Sequence, residues 1–299
     1  MTNKDTSNQF YFSKFAIKLR QLISKPMKVI IKKIVTKKVT IVRNDFEPNG
    51  KPTIYLANHG FYEDIMAVIS SIEDNVNLLI GVEGKSNTPK PIEKLALWLN
   101  GYLQINRRSK ESKNKGFDSM VKILQNQGNL LMFPESIWNL TPNLLMLKLH
   151  WGALRMAELT GANVVPVIID EVNGGYSVII GKAFNYSKYH DRHEAIGDLR
   201  DIMATAVWEL ISLKEPVKRA DISEEYWLNH IRKELSGFPN KIWHIEETYG
   251  FKPKDEVSLG EVLAELYGIE YRSMAASYEQ YLEVEQLISN WNNQIKLGK

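Results

Sequence analysis

The feature that most constrains the fold is an alternation of short apolar runs with helical patterns between Pro52 and Leu213. Apolar runs of about four to eight residues predict strands, whereas apolar residues three or four positions apart predict helices. The predicted strands are Thr53 to Ala57, Asn77 to Val82, Tyr102 to Ile105, Asn129 to Phe133, Val164 to Ile169 and Tyr176 to Ile180; the helices are Asp64 to Ser71, Ile92 to Leu99, Gly116 to Gln125, Leu149 to Leu159 and His193 to Leu213. This order predicts an α/β fold with a mixed, largely parallel sheet flanked by helices.

The amino-terminal 44 residues form a basic arm. No Asp or Glu occurs from Thr6 to Asn44, where ten lysines and arginines are found. Between them, apolar residues recur at helical spacing, first Phe10, Phe12, Phe15, Leu19, Leu22 and Ile23, then Met27, Val29, Ile30, Ile31, Ile34 and Val35. The pattern predicts one or two basic amphipathic helices, which either lie on an anionic membrane surface or pack on the protein's own core with a solvated basic face.

The composition changes again after Pro216, where charged residues, tryptophan and tyrosine become more frequent. Helical patterns recur there around Glu224 to Leu235, Leu259 to Tyr267 and Met274 to Trp291. We therefore expect three parts: a membrane-associating arm in residues 1–44, an α/β domain in residues 45–215 and a helical C-terminal extension in residues 216–299.

Composition excludes several classes of chemistry. The chain has no cysteine, which removes disulfides, thiolate nucleophiles and cysteine-ligated metal sites. No stretch approaches the roughly 18 consecutive apolar residues of a membrane-spanning helix, and the first residues lack the order of a secretory signal. No nucleic-acid motif is found, so nucleic acid is not an expected partner. We expect a cytoplasmic protein that touches the inner face of the cell membrane peripherally.

The strongest candidate for catalysis is the segment from Asn58 to Asp64, which follows a predicted strand and precedes a predicted helix. In open α/β sheets, clefts form at the carboxyl ends of strands. An Asp five positions after a His can fold back onto one imidazole nitrogen and leave the other to accept a proton from a hydroxyl. His59 and Asp64 therefore predict a His–Asp dyad that activates an external nucleophile. His193 and Asp198 have the same spacing but no preceding strand, so His190 and His193 are expected to be surface residues.

Three weaker candidates follow along the chain. Arg107 and Arg108 come directly after a short predicted strand, and guanidinium groups suit phosphate or carboxylate, although a solvated charge cluster is the simpler interpretation. Glu135 follows the strand that ends at Phe133 and could bind a polyol or cap the next element. Pro166 lies inside an apolar strand, which favours an edge strand or the wall of a cleft.

Taken in order, these segments resemble the glycerolipid acyltransferase family, whose lysophosphatidic acid (1-acylglycerol-3-phosphate O-) acyltransferases are the best-known members. The family's first block is Asn-His-x4-Asp and its second is Gly followed by Ile-(Asp/Asn)-Arg. Its third begins Phe-Pro-Glu and its fourth is Val-Pro-Val. The matching residues are Asn58, His59 and Asp64; Gly101, Ile105, Asn106 and Arg107; Phe133, Pro134 and Glu135; and Val165, Pro166 and Val167.

The resemblance implies roles for these residues. His59 would be the general base and Asp64 would orient it, while acyl-CoA or acyl-carrier protein would supply the acyl group as a cosubstrate, without a metal or other cofactor. The expected acceptor-binding residues are Asn58, Asn106, Arg107, Arg108, Glu135 and Trp138. The acyl chain would lie along an apolar surface near the bilayer.

This chain departs from the family's sequence blocks at two places, which bear more on the identity of the acceptor than on the type of reaction. Where the family continues Gly-Thr-Arg after the glutamate, this chain has Ser136-Ile137-Trp138, so one arginine expected near the acceptor phosphate is missing. An indole can stack and donate one hydrogen bond but cannot neutralise a phosphate. Phe61 also stands where a serine is common. The predicted function is acyl transfer to a lysophospholipid hydroxyl, with another sugar, polyol or lipid acceptor, or a catalytically silent membrane scaffold, as alternatives.

Overall fold

The computed structural model describes residues 12–32, 35–61, 63–81, 98–105, 109–136, 138–139 and 144–216. The chain divides into two compact units, Met1–Val217 and Lys218–Lys299. All described residues belong to the first unit. The predicted C-terminal extension, apart from Pro216, lies outside the described residues.

The described part of the first unit contains seven strands and five α-helices. The strands are β1 (Val39–Asn44), β2 (Thr53–Ala57), β3 (Val76–Gly81), β4 (Leu103–Ile105), β5 (Asn129–Met132), β6 (Asn163–Val172) and β7 (Gly175–Ile180). The helices are α1 (Lys14–Lys32), α2 (Asp64–Ser71), α3 (Lys110–Gln125), α4 (Gly152–Thr160) and α5 (Arg192–Ser212), and a 3-10 turn spans Tyr186–Lys188.

The strands form one sheet in the order β1-β7-β6-β2-β5-β3-β4. Every neighbouring pair is parallel except β6 and β7, which are antiparallel. A two-residue connection joins these two strands, whereas helices or longer segments join the parallel strands. The predicted mixed, largely parallel sheet flanked by helices is therefore confirmed.

Side chains alternate between the two faces of the sheet because successive strand residues point in opposite directions. In β2, Ile54 and Leu56 belong to a core cluster that also includes residues of α3, α4 and α5. Tyr55 and Ala57 belong to a second cluster with Ala67 of α2. The helices thus cover both faces, and α2 lies on the face opposite α4 and α5.

The boundary predicted at residue 44 is too late. Val39–Asn44 forms β1, which pairs in parallel with β7 at the edge of the sheet. Five of its six residues are exposed. An edge strand with so little burial carries no apolar alternation to distinguish it from the basic segment before it, so its pairing is decided by β7.

Helix α1 packs one face on the domain. Ile17 and Arg20 are buried, and Arg20 Nη2 donates a hydrogen bond to Asn77 Oδ1 at 3.2 Å. The Lys28 ammonium group donates to the carbonyl oxygens of Ile72, Glu73 and Asp74 just after α2. Part of the basic arm therefore lies inside the protein. Among the described residues, no helix has the length and apolarity needed to cross a membrane.

The opposite face of α1 is exposed and apolar. Phe15 is 67% exposed and Leu22 is 77% exposed, and Leu19 and Val29 extend the same stripe. Lys14 and Lys18 are exposed beside it. One face of the helix therefore packs on the core, as one of the two interpretations predicted, and the other face presents an apolar stripe with lysines to its surroundings.

Pro166 lies in a central strand, contrary to the preference of proline for sheet edges. It pairs with Leu56 of β2 on one side, and Gly181 N donates to its carbonyl oxygen at 2.9 Å on the other side. The N–H and C=O of one strand residue point to the same side, so the missing N–H faces the end of β7, where the ladder with β6 stops. No bond to β2 is lost there.

Candidate active site

His59 and Asp64 are brought together by the turn between β2 and α2. His59 Nδ1 lies 2.7 Å from Asp64 Oδ2. The Asp64 side chain is fully buried, whereas the His59 side chain is 16% exposed. When Nδ1 donates its proton to Asp64, the lone pair lies on Nε2, the nitrogen that can accept a proton from a substrate.

One oxygen of Asp64 organises the whole turn. Besides His59, Oδ2 accepts hydrogen bonds from the backbone N–H groups of Gly60 at 2.9 Å and Phe61 at 3.1 Å. Asp64 is also the first residue of α2, where the positive end of the helix dipole stabilises a carboxylate. The other oxygen, Oδ1, is buried with no hydrogen-bond partner among the described residues. The carboxylate is therefore fixed in the orientation that holds the imidazole.

Two aromatic rings lie beside the imidazole. The centroid of the Phe133 ring is 4.5 Å from that of His59, and the Trp138 ring meets His59 edge-on at 5.7 Å. Trp138, predicted to contact the acceptor, thus lies directly against the dyad. An apolar wall on this side limits the access of water to the base.

The Glu135 side chain binds the backbone on either side of it, including that of His59 in the dyad. Its side chain is buried at 4% exposure. Oε1 accepts the backbone N–H of His59 at 3.0 Å, and Oε2 accepts that of Leu147 at 2.7 Å. The carboxylate is engaged by the protein's own backbone because β2 and β5 are neighbours and their carboxyl ends meet, while its predicted contact with the acceptor stays a prediction.

Burial changes the acid–base properties of Glu135. It raises the pKa of this carboxyl group from 4.5 to about 7, although the N–H groups of Leu147 and His59 lower it in part. Asp64 nearby adds to the rise, and the His59 ring opposes it. The group therefore changes protonation near neutral pH instead of in acid.

Asn58 also has a role that the sequence did not predict. Its Nδ2 donates to the carbonyl oxygen of Ile169 at 2.9 Å, and its Oδ1 accepts the N–H of Ile169 at 2.8 Å. The side chain thus continues the pairing of β2 with β6 beyond Ala57. This contact fixes the base of the His59 turn, and the predicted contact with substrate stays a prediction.

Contacts of Phe61 and Glu63 also hold the turn between β2 and α2 in place. The rings of Phe61 and Tyr176 stack with centroids 4.9 Å apart. The Glu63 carboxylate accepts the hydroxyl groups of Tyr176 and Thr36, both at 2.7 Å. Tyr176 was missed as a site residue because it lies 113 positions from Glu63 and no local pattern links them.

The predicted second block is only partly described. Asn106, Arg107 and Arg108 lie outside the described residues. Strand β4, which precedes them, is parallel to β2 through β3 and β5, so its end at Ile105 lies on the same sheet edge as Ala57. Gly101 before β4 has φ +44°, and a Cβ there would lie 2.0 Å from Asn77 Oδ1. Only glycine fits this turn.

The second His–Asp pair is not assembled. His193 N donates to Asp191 Oδ1 at 2.9 Å at the start of α5, and Asp198 accepts the Tyr189 hydroxyl at 2.5 Å instead. His193 is exposed, as predicted. A cavity of about 620 Å³ lies between Pro166, Ile179 and α5, away from the dyad on the opposite face of the sheet.

Comparisons with known proteins show which proteins this chain is similar to. Residues 38–170 match the family model described as Acyltransferase. A 1-acyl-sn-glycerol-3-phosphate acyltransferase of Chlamydomonas reinhardtii is 30% identical over 139 residues, covering 44% of this chain. The chain spans only 38% of the length of that relative.

One solved structure shares the fold. The crystal structure of the 1-acyl-sn-glycerophosphate (LPA) acyltransferase, PlsC, from Thermotoga maritima matches with a TM-score of 0.50 and 15% identity. The match covers 73% of this chain and 86% of that chain. The resemblance drawn from the four sequence blocks is confirmed by the family match over residues 38–170.

Proposed function

We propose that this chain, whose residues 38–170 match the Acyltransferase family model, is an O-acyltransferase. It transfers a fatty acyl group from a thioester, acyl-CoA or acyl-carrier protein, to a hydroxyl of a lysophospholipid such as 1-acyl-glycerol-3-phosphate. The observation that carries the proposal is the 2.7 Å contact between His59 Nδ1 and the buried Asp64 carboxylate. It prepares one imidazole nitrogen for proton transfer.

The dyad supplies the proton transfer that the reaction requires. His59 Nε2 takes the proton of the acceptor hydroxyl while the hydroxyl oxygen attacks the thioester carbonyl carbon. The tetrahedral intermediate expels the thiolate, which takes the proton back from the imidazolium, so an ester and a free thiol remain. Asp64 stabilises the imidazolium during the step, as the acid does in a catalytic triad. No covalent enzyme intermediate is required.

Trp138 bears on the class of acceptor. Its ring meets His59 edge-on, close to where an acceptor hydroxyl would approach. An indole offers a stacking surface and one N–H but no charge, so any acceptor phosphate would depend on Arg107 and Arg108. A sugar, polyol or other lipid hydroxyl is the second candidate acceptor, and this contact favours it.

Helix α1 supports a membrane surface as partner. Its exposed stripe of Phe15, Leu19, Leu22 and Val29, flanked by Lys14 and Lys18, has the composition of a helix that lies in the headgroup region of anionic lipid. Such docking on the inner face of the cell membrane would bring the dyad close to lipid acceptors.

The first experiment measures thiol release from palmitoyl-CoA and palmitoyl-carrier protein, with lysophosphatidic acid, other lysophospholipids or no acceptor. Wild type is compared with His59→Ala and with His193→Ala, a matched control in which an exposed histidine beside an acid is removed. We expect acceptor-dependent release in wild type and His193→Ala, and a loss of at least about a thousandfold in His59→Ala. Full activity in His59→Ala would contradict the mechanism.

The same panel separates the alternatives. Release with neutral but not with phosphorylated acceptors would indicate the second acceptor class. A chain that binds lipid vesicles equally well with or without His59, and that releases no thiol whichever acceptor is supplied, would instead be a silent scaffold of the same fold.

A further inference from the structure

We propose that Arg200 of α5 is a positioning residue for the dyad, acting through the segment Met146–Leu147 and through Glu135 on the backbone of His59. The inference rests on the proposed function for its kinetic test but not for its spectroscopic test. Arg200 lies outside the segment that matches the family model.

The first link is the guanidinium group of Arg200. Its Nε donates to the carbonyl oxygens of Leu147 at 3.1 Å and Met146 at 3.3 Å, and its Nη2 donates to that of Met146 at 3.0 Å. No carboxylate pairs with Arg200 within the described part of the chain. A half-buried cation held by backbone carbonyls fixes a segment that forms no helix or strand of its own.

The second link is the Glu135 carboxylate. Leu147, whose carbonyl Arg200 holds, donates its N–H to Oε2 at 2.7 Å, while His59 donates its N–H to Oε1 at 3.0 Å. The two oxygens thus join the Leu147 segment to the His59 turn. Other backbone bonds brace the same join, from Asn139 N to His59 O at 2.7 Å and from His150 N to Pro134 O at 3.0 Å.

The join depends on the charge of Glu135. Only the ionised carboxylate can accept at both oxygens without a proton of its own facing an N–H. The ionisable groups that act on it are His59 and Asp64, and the Leu147 N–H is the larger of the two backbone contributions that keep its pKa from rising further. Removing the Arg200 side chain loosens Leu147, so the pKa of Glu135 rises and the join weakens at neutral pH.

A purely structural Arg200 would act differently. It would stabilise the folded chain without changing the pH dependence of catalysis or of the histidine ring. The distinguishing readouts are therefore kcat against KM, the acid limb of the pH profile, and the NMR titration of His59.

The experiment compares wild type with Arg200→Gln, Arg200→Lys and Arg192→Gln. Arg192 is the matched control, an arginine on the same helix in an exposed ion pair with Glu158. In Arg200→Gln we expect kcat to fall about tenfold with KM changed less than about twofold. The midpoint of the acid limb in the pH profile of kcat should move to higher pH by about half a unit. Arg200→Lys should recover part of kcat, and Arg192→Gln should resemble wild type.

A double variant tests the pathway. In a Glu135→Gln background, Arg200→Gln should produce no further movement of the acid limb, because the group that titrates has been removed. A movement as large as in the wild-type background, or Arg200→Gln kinetics equal to those of Arg192→Gln, would overturn the proposal.

The NMR titration separates this proposal from the proposed function. The His59 ring signal is assigned by its loss in His59→Ala, and the His193 signal is the internal reference. If wild type transfers no acyl group, the proposed function fails but the titration still decides the inference. A His59 curve displaced in Arg200→Gln, or in Arg200→Lys if the former does not fold, supports it. An unchanged curve overturns it.

Discussion

At the scale of single residues, the dyad is built from short-range chemistry. The five-residue spacing of His59 and Asp64 allows the carboxylate to meet Nδ1 and the N–H groups of Gly60 and Phe61 at one oxygen. That arrangement is local, and the sequence predicted its central pair. Glu135 and Asn58 are different, because their hydrogen bonds to the backbone of distant segments were not predicted.

Asp64→Asn tests the orienting role of the carboxylate. We expect kcat to fall at least about a hundredfold, because a neutral amide cannot stabilise the imidazolium and can select the wrong tautomer. The thermal unfolding temperature should change little. The matched control is Asp198→Asn, five positions after the exposed His193, which should retain wild-type turnover. Wild-type kcat in Asp64→Asn would show that the dyad is not the catalytic base.

Glu135→Gln tests the raised pKa of the buried carboxyl group through its effect on the free energy of unfolding. A carboxyl whose pKa is raised from 4.5 to about 7 on folding contributes stability that is full below about 4.5 and is lost as the pH rises through about 7. Across that window the difference in unfolding free energy between wild type and Glu135→Gln should fall by at most about 3 kcal/mol. Denaturant unfolding at a series of pH values measures it, and a constant difference would contradict the raised pKa.

At the scale of elements, most bounds follow from local patterns, and the exceptions have physical reasons. Helix α3 begins at Lys110, six residues before the predicted start, because its first turns are polar and give no apolar periodicity. Ser109 caps it by accepting the Ser112 N–H at 3.1 Å, a signal that the sequence does contain. Strand β1 has no such signal and needs β7.

Helix α1 gives a prediction at this scale. Leu22→Glu should reduce binding to vesicles that contain anionic lipid by about tenfold or more, because a charge replaces an apolar contact and faces like charge. The matched control is Leu159→Glu on α4, a leucine that is also exposed, at 58% against 77% for Leu22. Vesicle flotation measures both variants. Equal losses in the two variants, or none in either, would argue against α1 as the docking face.

At the scale of the whole molecule, the sheet order explains why the site forms. β5 and β6 are the two neighbours of β2, so Glu135, which follows β5, and Ile169 of β6 meet the turn after β2. On the other face, α5 contacts the loop before α4 through Arg200. Helices from both faces therefore converge on one edge of the sheet, where open α/β folds place their clefts.

The sequence by itself determined the strand and helix alternation, the parallel sheet, the His59–Asp64 pair and the family resemblance, because each depends on residues that are close in the chain or on an ordered set of motifs. Only the tertiary structure decided that β1 joins the sheet, that Pro166 is central, that α1 has a buried face, and that Glu135 and Asn58 serve the backbone. These depend on contacts between residues far apart in the chain, such as the 76 positions between His59 and Glu135 and the 111 positions between Asn58 and Ile169, which leave no periodic trace in the sequence.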